Sequence, residues 1–132
     1  MSPEPLTPTL DPSTLEGPLA LVDENLPVVV LCTRDRCFSK MLATVQQLRA
    51  RRARLIVVAS EGDAELRAAL AGRAPPGAPP VEVLELPRSA ESLQPVINIV
   101  PLQLLAYHLT VLRGLNVDQP RNLAKSVTVT EE

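Results

Sequence analysis

Three short apolar runs, rich in β-branched residues, punctuate this chain, with amphipathic stretches between them. Pro27-Val-Val-Val-Leu-Cys32 is continuous and apolar, the pattern of a strand covered on both faces in a parallel sheet. Thr33 and Asp35 follow as turn or helix-capping residues. Phe38, Met41, Leu42, Val45 and Leu48 then recur at helical spacing, with Lys40, Gln46, Gln47 and Arg49 elsewhere on the wheel. This helix runs into Arg49, Arg51, Arg52 and Arg54, whose charges suit the negative end of its macrodipole. Leu55-Ile-Val-Val-Ala59 predicts a second buried strand, and Asp63 is placed to cap a short helix ending near Ala71. Ala74-Pro-Pro-Gly-Ala-Pro-Pro80 excludes both helix and strand and predicts an exposed loop. Residues 81–86 alternate apolar and acidic, which predicts a third strand nearer a sheet edge. A last helix is predicted from Leu93 to Leu115, with Pro101 as a break or a fresh start and Gly114 at its C-terminal cap. From Leu102 to Leu112 nearly every face is apolar, which predicts burial on several sides.

The order strand, helix, strand, helix, strand, helix is that of a parallel sheet with helices on its faces. The fold class expected is α/β, a three-layer sandwich around a parallel sheet. Three strands are few for such a sheet, so the expectation is an incomplete domain over residues 15–115. Residues 1–14, with Pro3, Pro5, Pro8 and Pro12, read as a disordered lead-in. Residues 116–132 read as an extended tail, since Pro120 blocks continuation of the helix.

Composition narrows the function classes. Hydrophobic residues are 45% and charged residues 21% of the 132, which permits a buried core, and the scarcity of aromatics makes that core aliphatic. A net charge of -2 with mixed signs builds no basic stripe, so no nucleic-acid partner is expected. Cys32 and Cys37 are not spaced as a metal motif and His108 is the only histidine; no metal and no cofactor are expected, and the two thiols suit a reducing compartment, the cytoplasm. Residues 96–115 are about long enough to span a bilayer, but Asn98, Pro101, Gln103, His108 and Arg113 would be costly in lipid, so no membrane is expected. His108 itself reads as a core or interface residue in a helical, apolar setting.

One segment carries more than its pattern. Val100 to Val129, VPLQLLAYHLTVLRGLNVDQPRNLAKSVTV, resembles the closing segment of the glutamine:fructose-6-phosphate aminotransferases, also called glucosamine-6-phosphate synthases. Gly17-Pro-Leu-Ala-Leu-Val22 followed by Leu26-Pro-Val-Val-Val30 resembles an upstream segment of the same family, and only the loop around 74–80 stands out as an insertion. The resemblance implies the later half of a second sugar-isomerase (SIS) domain. In that family a glutaminase domain and two sugar-isomerase domains transfer glutamine-derived ammonia to fructose 6-phosphate and isomerise the product to glucosamine 6-phosphate. The resemblance implies that Lys125 forms a Schiff base with the sugar carbonyl and that the backbone at Ala124 lies against the sugar. It further implies a homodimer or association with the missing domains.

The chain also departs from the family. Leu15 and Glu16 stand where the family's ring-opening histidine motif would be, and Thr130 and Glu131 extend the tail before Glu132. The family's general-base glutamate, its Ser/Thr-rich phosphate loop and its glutaminase domain are absent. Thr33 and Ser39 flank an Arg-Asp-Arg stretch and form no hydroxyl cluster for a phosphate. The expectation is therefore an isomerase-end fragment without turnover of its own. The alternative is a non-catalytic sugar-isomerase-like module that binds or modulates a full-length synthase.

Overall fold

The computed structural model describes residues 21–119. It forms two compact units, one reaching to Leu86 and the other starting at Pro87. The first holds a three-stranded parallel sheet in the order β1-β2-β3, with β1 at Pro27–Cys32, β2 at Arg54–Ser60 and β3 at Glu82–Leu86. Helix α1, Phe38–Ala50, joins β1 to β2, and α2, Ala64–Ala71, follows β2. The parallel α/β reading is thereby shown.

The register explains the core. Val28 pairs with Leu55, Val30 with Val57, and Cys32 with Ala59, so these six share one face of the sheet. Phe38, Val45 and Leu48 of α1 and Leu66 of α2 close over that face, with Met41, Leu42 and Leu70 at the margin. Each fully buried Leu or Val here contributes about 1.5–3 kcal/mol. The opposite face is less complete. Val58 is buried, but Val29, Leu31 and Ile56 are half-buried and Leu84 is 44% exposed. The first strand is thus covered well on one face and only partly on the other, short of the two-sided burial that its sequence predicts.

Connections follow local chemistry. Helix α1 starts two residues later than Asp35 would place it, because Asp35 Oδ1 accepts from the Cys37 amide at 2.7 Å and makes a turn instead of a cap. The helix ends in a left-handed Arg52, φ 60°, where the Arg52 amide donates to Arg49 O and the Ala53 amide to Leu48 O. Asp63 caps α2 as its sequence predicts, accepting from the Leu66 amide at 2.9 Å. The proline loop turns at Gly77, φ 76°, where the Ala78 amide donates to Pro75 O.

The second unit contains α3, Gln94–Leu112. Pro101 sits inside this helix without breaking it. Gly114, φ 67°, and Leu115 donate to Val111 O and Thr110 O and close the helix end, as the Gly114 cap predicts. The prediction of a helix buried on several sides does not hold. Among the large apolar side chains left exposed are Val96, Ile99, Leu104, Leu105, Leu109 and Leu112. The buried positions are polar: Gln94 donates to Asn98 Oδ1 at 3.0 Å, and its own carbonyl oxygen accepts from the Ser89 amide. Among the described residues of this unit α3 is the only helix. It is also long and apolar enough to cross a membrane by length and composition.

Candidate functional site

In parallel α/β sheets, polar groups gather at the carboxyl ends of the strands, where loops rise from the sheet. Here that end is occupied by a charged clasp. Arg34, two residues after the end of β1, donates from Nε to Asp63 Oδ2 at 2.7 Å and from Nη2 to Asp63 Oδ1 at 3.0 Å and Glu65 Oε2 at 2.8 Å. The Arg34 amide donates to Ser60 Oγ at 2.9 Å, and the guanidinium lies 3.7 Å from the Phe38 ring centre. The hydrogen bonds to Asp63 and then Glu65 hold the Arg34 guanidinium above its ordinary pKa. Asp63 is buried and serves two functions at once, helix cap and ion-pair partner. The sequence shows the first of these; the second joins positions far apart in the chain, and no local pattern marks it.

The thiols flanking this clasp differ. Cys32, at the end of β1, is buried, and burial followed by the negative charges of Asp63 and Asp35 pushes its pKa up to about 11. It is a neutral packing group at ordinary pH. Cys37 is exposed at the start of α1. Among the described residues no group of three or more His, Cys, Asp or Glu is placed to hold a metal. Every fully buried side-chain polar atom among them has a hydrogen-bond partner.

A cleft of about 640 Å³ opens beside α2, floored by Ala59 and Val83 and walled by Leu66, Leu70 and the proline loop at Pro79 and Pro80. Its polar groups are already engaged. Arg49 donates to Ala69 O at 3.3 Å and Gly72 O at 2.7 Å, satisfying carbonyls at the end of α2, and Arg67 pairs with Glu85. The basic cluster after α1 is therefore divided: Arg49 caps a neighbouring helix, and Arg54 lies 3.9 Å from Glu82.

Lys125, Ala124, Leu15, Glu16, Thr130 and Glu131 lie outside the described residues. His108, expected in a core or an interface, is exposed on α3, its ring edge-on to Tyr107 at 5.3 Å. Thr33 is buried within the first unit, which rules it out as an open phosphate ligand. The described residues thus bring together a structural ion pair, and no nucleophile with an adjacent base.

Comparison with known proteins gives a consistent result. No protein-family model matches the chain. Glutamine–fructose-6-phosphate aminotransferase [isomerizing] 1 of Arabidopsis thaliana is 63% identical over 112 residues, covering 85% of this chain and 15% of the relative. The corresponding enzyme of Chlorobaculum tepidum is 44% identical over 113 residues, covering 86% of this chain and 17% of the relative. Among solved structures, the C-terminal domain of glucosamine-fructose-6-phosphate aminotransferase from Francisella tularensis superposes with a TM-score of 0.62 at 36% identity. That match covers 78% of this chain and 26% of the solved one. The chain spans 15–17% of the length of these curated relatives.

Proposed function

We propose, from the premise that this chain is a C-terminal sugar-isomerase segment of the glutamine–fructose-6-phosphate aminotransferase family, that it supplies the closing part of an isomerase site acting on fructose 6-phosphate. The observation that carries this reading is the 63% identity over 112 residues to the plant enzyme. In the proposed chemistry the Lys125 amine attacks the C2 carbonyl of the sugar, and loss of water gives an iminium. The iminium takes up electron density as ammonia adds at C2 and the Lys125 amine leaves, and the free imine of fructose 6-phosphate then passes a proton from C1 to C2. The amine must be neutral to attack, which burial or a nearby cation would achieve by lowering its pKa. The backbone at Ala124 lies against the sugar. Glutamine-derived ammonia, and hence glucosamine 6-phosphate as product, belongs to a complete synthase in the cytoplasm, in which this segment acts as part of a homodimer or together with the other domains of the family.

The described residues offer a parallel sheet and an ion pair whose partners are engaged. Glu16, at a position where the family resemblance expects histidine, favours a second reading, a non-catalytic module that binds a full-length synthase. The two readings separate in one assay. The plant relative is shortened by its matched segment, this chain is added, and glucosamine 6-phosphate formation is followed. Restored turnover, with none from either piece alone, supports the catalytic reading. A stable complex without turnover supports the module.

A further inference from the structure

We propose that the cleft beside α2 is a binding site for an amphipathic monocarboxylate, an aliphatic body ending in one carboxylate that meets Arg49. This site is separate from the sugar chemistry proposed above and does not depend on it. Its residues all belong to the first unit. Its volume, about 640 Å³, lies in the range of cavities that hold small organic ligands. Leu66 and Leu70 of α2, Val83 of β3, and Pro79 and Pro80 make its walls and floor aliphatic. The loop wall is stiff, since Pro75, Pro76, Pro79 and Pro80 each fix their own φ and the chain turns at Gly77. A wall set in advance needs little ordering when a ligand enters. This loop is also the stretch that stands out as an insertion against the family resemblance.

Charge selects the ligand. At the cleft Asp63 is paired with Arg34 and Glu85 with Arg67, so these charges are matched within the protein. The charge of Arg49 is not. Arg49 donates to Ala69 O and Gly72 O, and no carboxylate among the described residues pairs with it. The two carbonyls hold the half-buried Arg49 in place and carry only the partial charge of a helix end. They leave other N–H groups of the guanidinium fork for a carboxylate, whose geometry the fork matches. A monoanion balances this single charge. A sugar phosphate does not suit the cleft, because its phosphate and hydroxyls need many polar partners. Apart from Arg49, Ser60, Asp63 and the Arg67–Glu85 pair, the lining is Ala, Leu, Val and Pro.

The test is a nuclear magnetic resonance titration of the full, isotope-labelled chain with octanoate, octan-1-ol and fructose 6-phosphate as separate probes. Octanoate is expected to shift the resonances of Ala59, Leu66, Leu70 and Val83 saturably. Octan-1-ol binds about tenfold more weakly or worse, the worth of one charge-assisted hydrogen bond. Arg49→Gln, with its far-ultraviolet circular dichroism unchanged, weakens octanoate by a similar factor and leaves octan-1-ol unaffected. Because Arg49 also closes the end of α2, Val83→Glu serves as the second variant. It sets a carboxylate on the cleft floor at a position that is 43% exposed, and octanoate binding is lost. Equal binding of octanoate and octan-1-ol overturns the assignment to a carboxylate. Shifts confined to the exposed apolar residues of α3, or no saturable shift, overturn the site. So does unchanged octanoate affinity in either variant. Equal or stronger shifts of the same residues by fructose 6-phosphate assign the cleft to the sugar and overturn the proposed ligand class.

Discussion

Replacing Asp63 tests how the first unit is held together. Its carboxylate accepts from the Leu66 amide at 2.9 Å, from Arg34 Nε at 2.7 Å and from Arg34 Nη2 at 3.0 Å, and the residue is 2% exposed. Asp63→Ala removes a helix cap, which costs about 1 kcal/mol. It also removes charge-assisted hydrogen bonds of a buried carboxylate, which together cost about 1.5–3 kcal/mol. The guanidinium keeps Glu65 and contact with water, so the lower end applies and the total is about 2–3 kcal/mol. Asp63→Asn keeps an acceptor for the Leu66 amide but turns an NH2 group toward Arg34, and its cost is smaller by about the 1 kcal/mol of the cap. Equilibrium urea unfolding, followed by circular dichroism, reads both. With a slope of about 1–2 kcal/mol/M, Asp63→Ala lowers the midpoint by about 1–3 M at unchanged slope. If both variants lie within about 0.5 kcal/mol of the parent, or Asn costs as much as Ala, the clasp does not anchor the fold as argued.

Other outcomes follow from the same geometry. Titration with a thiol reagent at pH 8 labels Cys37 rapidly and Cys32 only on unfolding; equal rates would contradict the burial of Cys32. Because folding holds the Cys32 proton from its ordinary 9.0 up to about 11, the folded chain binds more protons than the unfolded chain in that window. Stability therefore falls as pH rises through it, and Cys32→Ala flattens that part of a stability-against-pH curve. Arg52→Gly removes a left-handed strain of about 1–2 kcal/mol at the end of α1 and adds a smaller unfolded-state entropy. The expected gain is about 0.5–1 kcal/mol in the same urea assay, and a loss would show that the Arg52 side chain outweighs its backbone strain.

Periodicity carried the elements well because each has a single dominant signal. The β-branched runs at Val28–Leu31 and Leu55–Ala59, the spacing from Phe38 to Leu48, and the cap at Asp63 all have local causes, and the structure keeps them. What failed depends on what lies next to an element. The apolar faces of α3 say that it packs against something, and sequence alone supplied the presumption that the something lies within the chain. The Arg34–Asp63 pair was invisible for a similar reason: it joins β1 to α2 across a crossover, and neither residue type is unusual where it stands. The candidate chemistry at Lys125 was legible only through resemblance, since a lysine in a polar segment has no local mark of reactivity.

The central claim is that this chain provides the lysine of a sugar-isomerase site. Borohydride reduction with radiolabelled fructose 6-phosphate, in the presence of the shortened plant relative, tests it most directly. Peptide mapping is predicted to place the trapped sugar on Lys125, with labelling lost in Lys125→Ala and absent when the chain is alone. Label on another lysine, or none on this chain in a complex shown to form, would contradict it.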